Sequence, residues 1–292
     1  MILRSLSLAL ILFPSVSAFV SPAYITIAGE HYENHRQVAT NTMLRVLAPA
    51  ATDAIRIFPD ADTVGATVRD IVERAAQAAI SQRGHFALAI PGGSILKMLI
   101  GCKGDWTTQT TLVYVNHKCV PMDDIDLATH AKAEKYFLSE WKGCNVIVMD
   151  GTDDGPAEAT SYQAKLRGLS QEILPMSADG FPVFDLALIG VGDDGHIGSL
   201  YPNRDEVIRT DVWVLPVEMK KPPSITLSLP VMISAKQVVV AACGVSEKYP
   251  QGKSDGMRRA IVDPHETMQT FPASSLRSVA TWILDEAAAS KL

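Results

Sequence analysis

Cysteine is sparse and scattered. Cys102, Cys119, Cys144 and Cys243 form no C-x-x-C pair and no Cys/His cluster. The spacing therefore supplies neither a zinc site nor a disulfide framework. A domain of this length does not depend on cross-links, so free thiols in a reducing compartment are expected. His31 and His35 stand four apart and share a side if helical, but they fall in the N-terminal presequence region and read as solvated residues; no metal is expected. Positive charge is also short. Lys and Arg number 26 against 32 Asp and Glu, and no basic block occurs. Nucleic acid is held by clustered cations that displace its counterions, so a nucleic-acid partner is excluded. The 47% hydrophobic and 20% charged fractions exclude disorder and coiled coil and describe an ordinary globular chain.

The longest apolar run lies at the start. Arg4 gives a positive n-region, Leu6 to Phe13 an apolar h-region too short to span a bilayer, and Val16-Ser17-Ala18 a small-residue cleavage site. Residues 1–18 thus read as a signal peptide, and no membrane association is expected of the mature form. Residues 19–50 carry Arg36, Arg45 and several Ser and Thr with little apolar periodicity. The join Ser17-Ala18-Phe19-Val20-Ser21-Pro22 resembles the bipartite presequence of algae with secondary plastids, where phenylalanine directly follows the signal-peptide cut. The resemblance implies a transit segment over 19–50 and plastid import, with ordinary secretion as the alternative.

From about Thr52 short apolar runs alternate with helical stretches. Strands are expected at Ile55–Phe58, Phe86–Ile90, Leu112–Val115, Asn145–Met149 and Phe184–Ile189. Later ones follow at Val212–Leu215, Ile225–Leu229 and Gln237–Ala242. Helices are expected near 62–82, 127–141, 156–174 and 246–260, with a last one after Asp285. In the first, Val64, Val68, Ile71, Val72, Ala75 and Ala79 share one side. Strands apolar along their whole length are buried on both faces. Alternation with helices implies an α/β fold, three-layer α/β/α, with a mostly parallel Rossmann-like sheet in a single domain over 51–292.

Open parallel sheets bind ligands at the carboxyl ends of their strands. Four of these exits are polar or glycine-rich. Pro91-Gly92-Gly93-Ser94 opens a helix, so its backbone N–H groups and the helix dipole suit a phosphate. Asn116-His117-Lys118 follows the third strand, and Gly244 with Lys248 follows Gln237–Ala242. The richest exit is Gly190-Val191-Gly192-Asp193-Asp194-Gly195-His196, which delivers glycines, carboxylates and an imidazole from a buried strand. Histidine is suited to proton transfer near neutral pH, and Asp194 stands where it can orient the ring.

The segment from Gly190 through His196 to Ser199-Leu200-Tyr201-Pro202 resembles the G-x-G-x-D-G-H-x-x-S-L-F-P signature of the 6-phosphogluconolactonases, which sit beside the glucosamine-6-phosphate deaminases. Gly92-Gly93-Ser94 is similar to the family's G-G-S loop. Cys119 to Asp124 resembles the stretch after its D-E-R motif, and Pro222 to Leu227 its P-P-x-R-I-T-L element. Gly244 to Lys248 resembles its G-x-x-K, and Phe271 to Ser274 its P-A-S. The likeness spans about Ile55 to Leu292. It implies hydrolysis of a sugar-phosphate lactone without metal or organic cofactor. His196 would act as base with Asp194 beside it. Gly92, Gly93, Ser94, Lys118, Gly192 and Lys248 would bind the small-molecule sugar phosphate. The D-E-R triplet is here Asn116-His117-Lys118, the following S-N pair is Leu127-Ala128, Ser224 replaces an arginine and Ile95 a threonine. These changes imply a weakened or respecified enzyme. Two alternatives remain: a non-catalytic sugar-phosphate binder, and an amino-sugar-phosphate isomerase or deaminase. The second needs an aspartate base where Asn116 stands. Oligomeric state is not legible.

A fluorescent fusion of residues 1–50 is expected to enter the plastid; staining of the secretory pathway instead would contradict the import reading.

Overall fold

Why the chain folds as alternating layers is visible in the parity of its strands. The computed structural model describes residues 54–244 and 252–292. In chain order the elements are β1 (Ile55–Phe58), α1 (Ala61–Arg83), β2 (Phe86–Ile90), α2 (Ser94–Met98), β3 (Thr110–Tyr114), β4 (Asn116–Lys118), α3 (Thr129–Tyr136), β5 (Asn145–Ile147) and α4 (Gly155–Arg167). There follow β6 (Leu186–Ile189), β7 (Val214–Val217), β8 (Ser224–Leu227), α5 (Leu229–Ile233), β9 (Val238–Ala242), α6 (Ser254–Ile261), β10 (Ala280–Asp285) and α7 (Glu286–Ala289). Seven strands form one sheet in the order β1-β10-β9-β6-β2-β3-β5, every pair parallel. Odd and even residues of the central strands feed two cores on opposite faces. Phe86, Leu88, Ile90, Leu186 and Leu188 pack under α1 with Val64, Val68 and Val72. Ala87, Ala89, Ala187, Ile189 and Val240 pack on the other face with residues of α4, α5, α6 and α7. This is the three-layer α/β/α arrangement, and the described residues form one compact unit.

α1 shows how local chemistry sets an element's ends. The Asp60 carboxylate accepts from Thr63 N at 2.7 Å, and Gly84 closes the helix in the left-handed region at φ 77°, donating to Ile80 O at 2.7 Å. Its buried stripe is the expected one, except that Ala76 rather than Ala75 is buried.

Several expectations are corrected. β7 and β8 do not extend the parallel sheet; with β4 they form a separate antiparallel sheet, β4-β8-β7. A short hairpin of this kind needs no crossover, and its Val214, Leu215, Ile225 and Leu227 join the core on one face of the main sheet. β10 is absent from the sequence expectations yet lies inside the main sheet between β1 and β9, with Trp282, Ile283 and Leu284 fully buried. The helix expected at 127–141 is two pieces: Phe137 leaves helical geometry at φ −155°, and a short 3₁₀ turn follows. α4 ends at Gly168, ahead of the expected 174. The expected helix start at Ser246 falls outside the described residues, as do the 1–18 and 19–50 segments and His31 and His35. Among the described residues no helix is long and apolar enough to cross a membrane.

At the amino ends of the strands, Asp185 ties three elements together. Its buried carboxylate accepts from Ala87 N at 2.8 Å and Lys236 Nζ at 2.9 Å, and pairs with Arg83. Asp185→Ala leaves these donors uncompensated and is expected to lower unfolding free energy in urea by about 3 kcal/mol. A change within experimental error would contradict this role.

Candidate active site

The chain reverses its direction of sheet growth between β2 and β6. From β2 it builds outward through β3 and β5; β6, β9 and β10 then build the other way. The loops leaving β2 and β6 diverge at that point, the place where open α/β sheets hold ligands. They also touch: a Cβ on Gly190 would lie 4.0 Å from Pro91 Cγ and from Ile95 Cγ1. Strand order thus brings the Gly92-Gly93-Ser94 turn beside the His196 loop.

The His196 loop is closed by its own backbone. Gly192 N donates to His196 O at 2.9 Å, and Gly195 N to Gly192 O at 3.1 Å. Gly195 takes φ 86°, a conformation L side chains avoid, with the Phe271 ring against the place a Cβ would fill. Ala273 N donates to Gly195 O at 2.9 Å, which fastens the loop to the segment after Phe271. At Gly192 the constraint is steric: a Cβ would lie 2.1 Å from His196 Nδ1, so only glycine lets the imidazole lie over the loop. His196 Nδ1 is 2.6 Å from Asp194 Oδ1, which also accepts the His196 backbone N–H at 3.1 Å. An ionised carboxylate only accepts, so Nδ1 carries a proton, and in the neutral ring Nε2 is the nitrogen left as acceptor. Burial by itself would raise the Asp194 carboxyl. Hydrogen bonds from the His196 ring and backbone outweigh that and bring it down to about 2. The carboxylate is therefore charged at neutral pH. The His196 side chain is 19% exposed, and the Tyr201 ring lies 4.7 Å away, tilted by 37°.

The loop's far end is braced from the small sheet. Ser199 N donates to Thr226 Oγ1 at 3.1 Å, and Asn116 Nδ2 to Ser199 Oγ at 3.2 Å. Asn116 and Thr226 face each other in the β4–β8 register. Two residues along, Lys118 faces Ser224. The two positions where the resemblance expects arginines are therefore cross-strand partners, and together they present one ammonium in place of two guanidinium forks.

The remaining expected residues are placed as follows. Gly93 precedes α2 at φ 79°, and Gly93 and Ser94 are exposed. Gly92 is close to α3, where a Cβ would meet Thr129 Oγ1 at 3.0 Å. α2 has only five residues, so the summed helix dipole expected behind this turn is small. Lys248 lies outside the described residues. A lysine that sequence reasoning passed over stands in the site: Lys253, at the N-cap of α6, is buried and donates from Nζ to Val191 O at 2.9 Å. α6 itself packs against the loop, a Cβ on Gly256 lying 3.8 Å from Asp193 O. The signal was available as Gly252-Lys253 immediately ahead of an amphipathic helix. Two surface cavities, of about 370 and 380 Å³, lie elsewhere; Arg204, Glu206 and Leu215 line one, Leu174, Met176 and Trp213 the other.

His117 replaces a lost cap. α3 starts after Ala128, which has no side chain to accept from the first turn. His117 Nε2 accepts from His130 N at 3.1 Å, while Nδ1 is 2.6 Å from Lys118 O. A ring that accepts at one nitrogen and donates at the other is neutral. The His130 ring is anchored in turn by the Tyr114 hydroxyl, 2.8 Å from Nδ1.

The family model for glucosamine-6-phosphate isomerases/6-phosphogluconolactonase matches residues 59–283. The 6-phosphogluconolactonase of Rattus norvegicus is 30% identical over 257 residues, covering 83% of this chain and 95% of the rat protein. That of Homo sapiens is 31% identical over 260 residues, covering 83% and 95%. The crystal structure of 6-phosphogluconolactonase from Leishmania guyanensis superposes with a TM-score of 0.67 at 23% identity, covering 82% of this chain and 97% of that one.

Burial pushes the His117 imidazole down to about 4, the hydrogen bond to the Lys118 carbonyl opposing this and the neighbouring His130 adding to it. Between about 4 and the ordinary 6.5 the unfolded chain binds a proton here that the folded chain does not. Stability is therefore full above about 6.5 and falls as pH drops toward 4, by on the order of 3 kcal/mol from this group. Urea unfolding at pH 7 and pH 4.5 is expected to show that loss, and His117→Gln to flatten it. An equal pH dependence in both proteins would contradict the assignment.

Proposed function

The chain belongs to the glucosamine-6-phosphate isomerase/6-phosphogluconolactonase family, and from that premise we propose that it hydrolyses 6-phosphogluconolactone to 6-phosphogluconate in the oxidative pentose phosphate pathway. The observation that carries the reading is the imidazole of His196, oriented at 2.6 Å by an ionised Asp194 with Nε2 left as acceptor. Nε2 takes a proton from water as the water oxygen attacks the lactone carbonyl carbon. Negative charge develops on the carbonyl oxygen, where N–H donors of the glycine-rich strand exits are suited to hold it. As the tetrahedral intermediate collapses, the bond from the carbonyl carbon to the ring oxygen breaks. The leaving oxygen receives the proton from His196. Water and lactone give the open acid, and the reaction as written uses neither metal nor organic cofactor.

The phosphate, remote from the reacting carbon, converts binding into alignment. Gly92, Gly93 and Ser94 serve it on one side and Lys118 on the other. We assign Lys253 the place that sequence analysis gave to Lys248; its buried ammonium donates to the Val191 carbonyl at 2.9 Å, beside the His196 loop. With Lys118 opposite Ser224, the phosphate side holds less bidentate contact than the D-E-R and P-P-x-R-I-T-L patterns would give, which favours a slower or respecified lactonase. The isomerase and deaminase reading lacks its base, because Asn116 is an amide engaged with Ser199. Plastid residence of the mature chain is part of the same proposal and rests on residues 1–50.

His196→Ala is expected to lower 6-phosphogluconolactone hydrolysis at least a hundredfold, and Asp194→Asn to lower kcat while leaving KM nearly unchanged. Equal rates for wild type and His196→Ala, after subtraction of spontaneous hydrolysis, would contradict the catalytic claim.

A further inference from the structure

The loop between β7 and β8 reaches back over the site through one side chain. Lys220, three residues after β7 ends at Val217, places Nζ 4.5 Å from the centre of the Tyr201 ring and 3.2 Å from the Tyr201 hydroxyl. Tyr201 is its polar partner among the described residues, and no carboxylate neutralises it there. The same Tyr201 ring lies 4.7 Å from the His196 ring. Lys220, Tyr201 and His196 thus form a continuous set, with a fixed cation within two ring contacts of the catalytic imidazole.

That separation suits a phosphorylated sugar lactone. The carbonyl carbon must stand one water away from Nε2, and the phosphate is removed from it by the length of a six-carbon chain. The hairpin that carries Lys220 also carries Ser224, the cross-strand partner of Lys118, which adds no charge. Tyr201 stands where the signature has phenylalanine, so the hydroxyl that anchors Lys220 belongs to this chain's own pattern. A cation held on an aromatic face by both ring and hydroxyl loses less freedom on binding an anion than a freely rotating lysine.

We propose that Lys220, positioned by Tyr201, is a phosphate-binding and specificity-determining residue that favours phosphorylated over unphosphorylated lactone. This rests on the lactonase reading of the His196 site. Lys220 adds a further positive charge to Lys118 and Lys253 on the phosphate side, from the turn of the hairpin, in place of the charge missing at Ser224. Tyr201 acts through Lys220 as a positioning residue.

The test measures kcat and KM for 6-phosphogluconolactone and δ-gluconolactone with the full chain and its variants. Lys220→Met is expected to raise KM for the phosphorylated lactone about tenfold, the loss of one charge-assisted contact, with kcat within twofold. The preference for phosphorylated lactone then falls by about the same factor. Lys220→Arg restores most of it. Tyr201→Phe gives a smaller loss, and the double variant Tyr201→Phe/Lys220→Met is no worse than Lys220→Met alone. An unchanged preference in Lys220→Met, or equal losses on both lactones, overturns the assignment while the lactonase reading stands. Calorimetry with 6-phosphogluconate and gluconate separates the other failure. Wild type that binds 6-phosphogluconate without turnover, and loses that binding in Lys220→Met, overturns the lactonase reading and supports Lys220. Wild type that neither turns over nor binds overturns both.

Discussion

An imidazole lies directly on a backbone that has no side chain beneath it. With Cβ absent at Gly192, the His196 ring settles over the loop and its Nδ1 comes within 2.6 Å of Asp194. The loop is drawn tight by the Gly192 N to His196 O hydrogen bond, and Gly195 turns through φ 86° to make that closure possible. From this follow the tautomer, the lone pair at Nε2 and the ionised state of Asp194. A looser loop would leave the same residues in place and lose the orientation on which proton transfer depends.

The rest of the molecule holds that loop and arranges an anion site around it. β6 delivers it at the reversal point of the sheet, α6 presses on it at Gly256, and the segment after Phe271 takes up Gly195 O. The antiparallel β4-β8-β7 sheet braces the far end through Thr226 and Asn116. The same small sheet carries the cations Lys118 and, at its hairpin turn, Lys220. One accessory element therefore braces the His196 loop and carries Lys118 and Lys220, both proposed to serve the phosphate. The altered triplet Asn116-His117-Lys118 shows how the departures fit together. Asn116 braces the catalytic loop, His117 caps α3 in place of the side chain that Ala128 lacks, and Lys118 keeps charge at the β4–β8 edge.

The parts of this arrangement legible in the sequence are those written in contiguous residues. Phe86–Ile90 and the strand before Gly190 are apolar throughout, which announces burial on both faces, and the glycines and His196 that follow announce an exit with chemistry. β10 was missed because Ala280–Asp285 runs straight into α7 at Glu286 without a turn signal, and a short apolar run carries no period of its own. The second sheet was missed because each of its strands is only three or four residues long and its partners are set by register. Lys253 was not singled out because its burial beside Val191 is set by the fold and leaves no local pattern in the sequence. Contacts across many residues leave no local trace: His117 with the amide of His130, and Lys220 with Tyr201.

The central claim is that the bare backbone of Gly192 sets the His196 imidazole for proton transfer. Steady-state hydrolysis of 6-phosphogluconolactone by Gly192→Ala, with folding verified by urea unfolding, addresses it directly. A methyl group in the space of the ring displaces the imidazole, so kcat is expected to fall by two orders of magnitude or more in a protein that still folds. A folded Gly192→Ala protein with wild-type kcat would contradict the account.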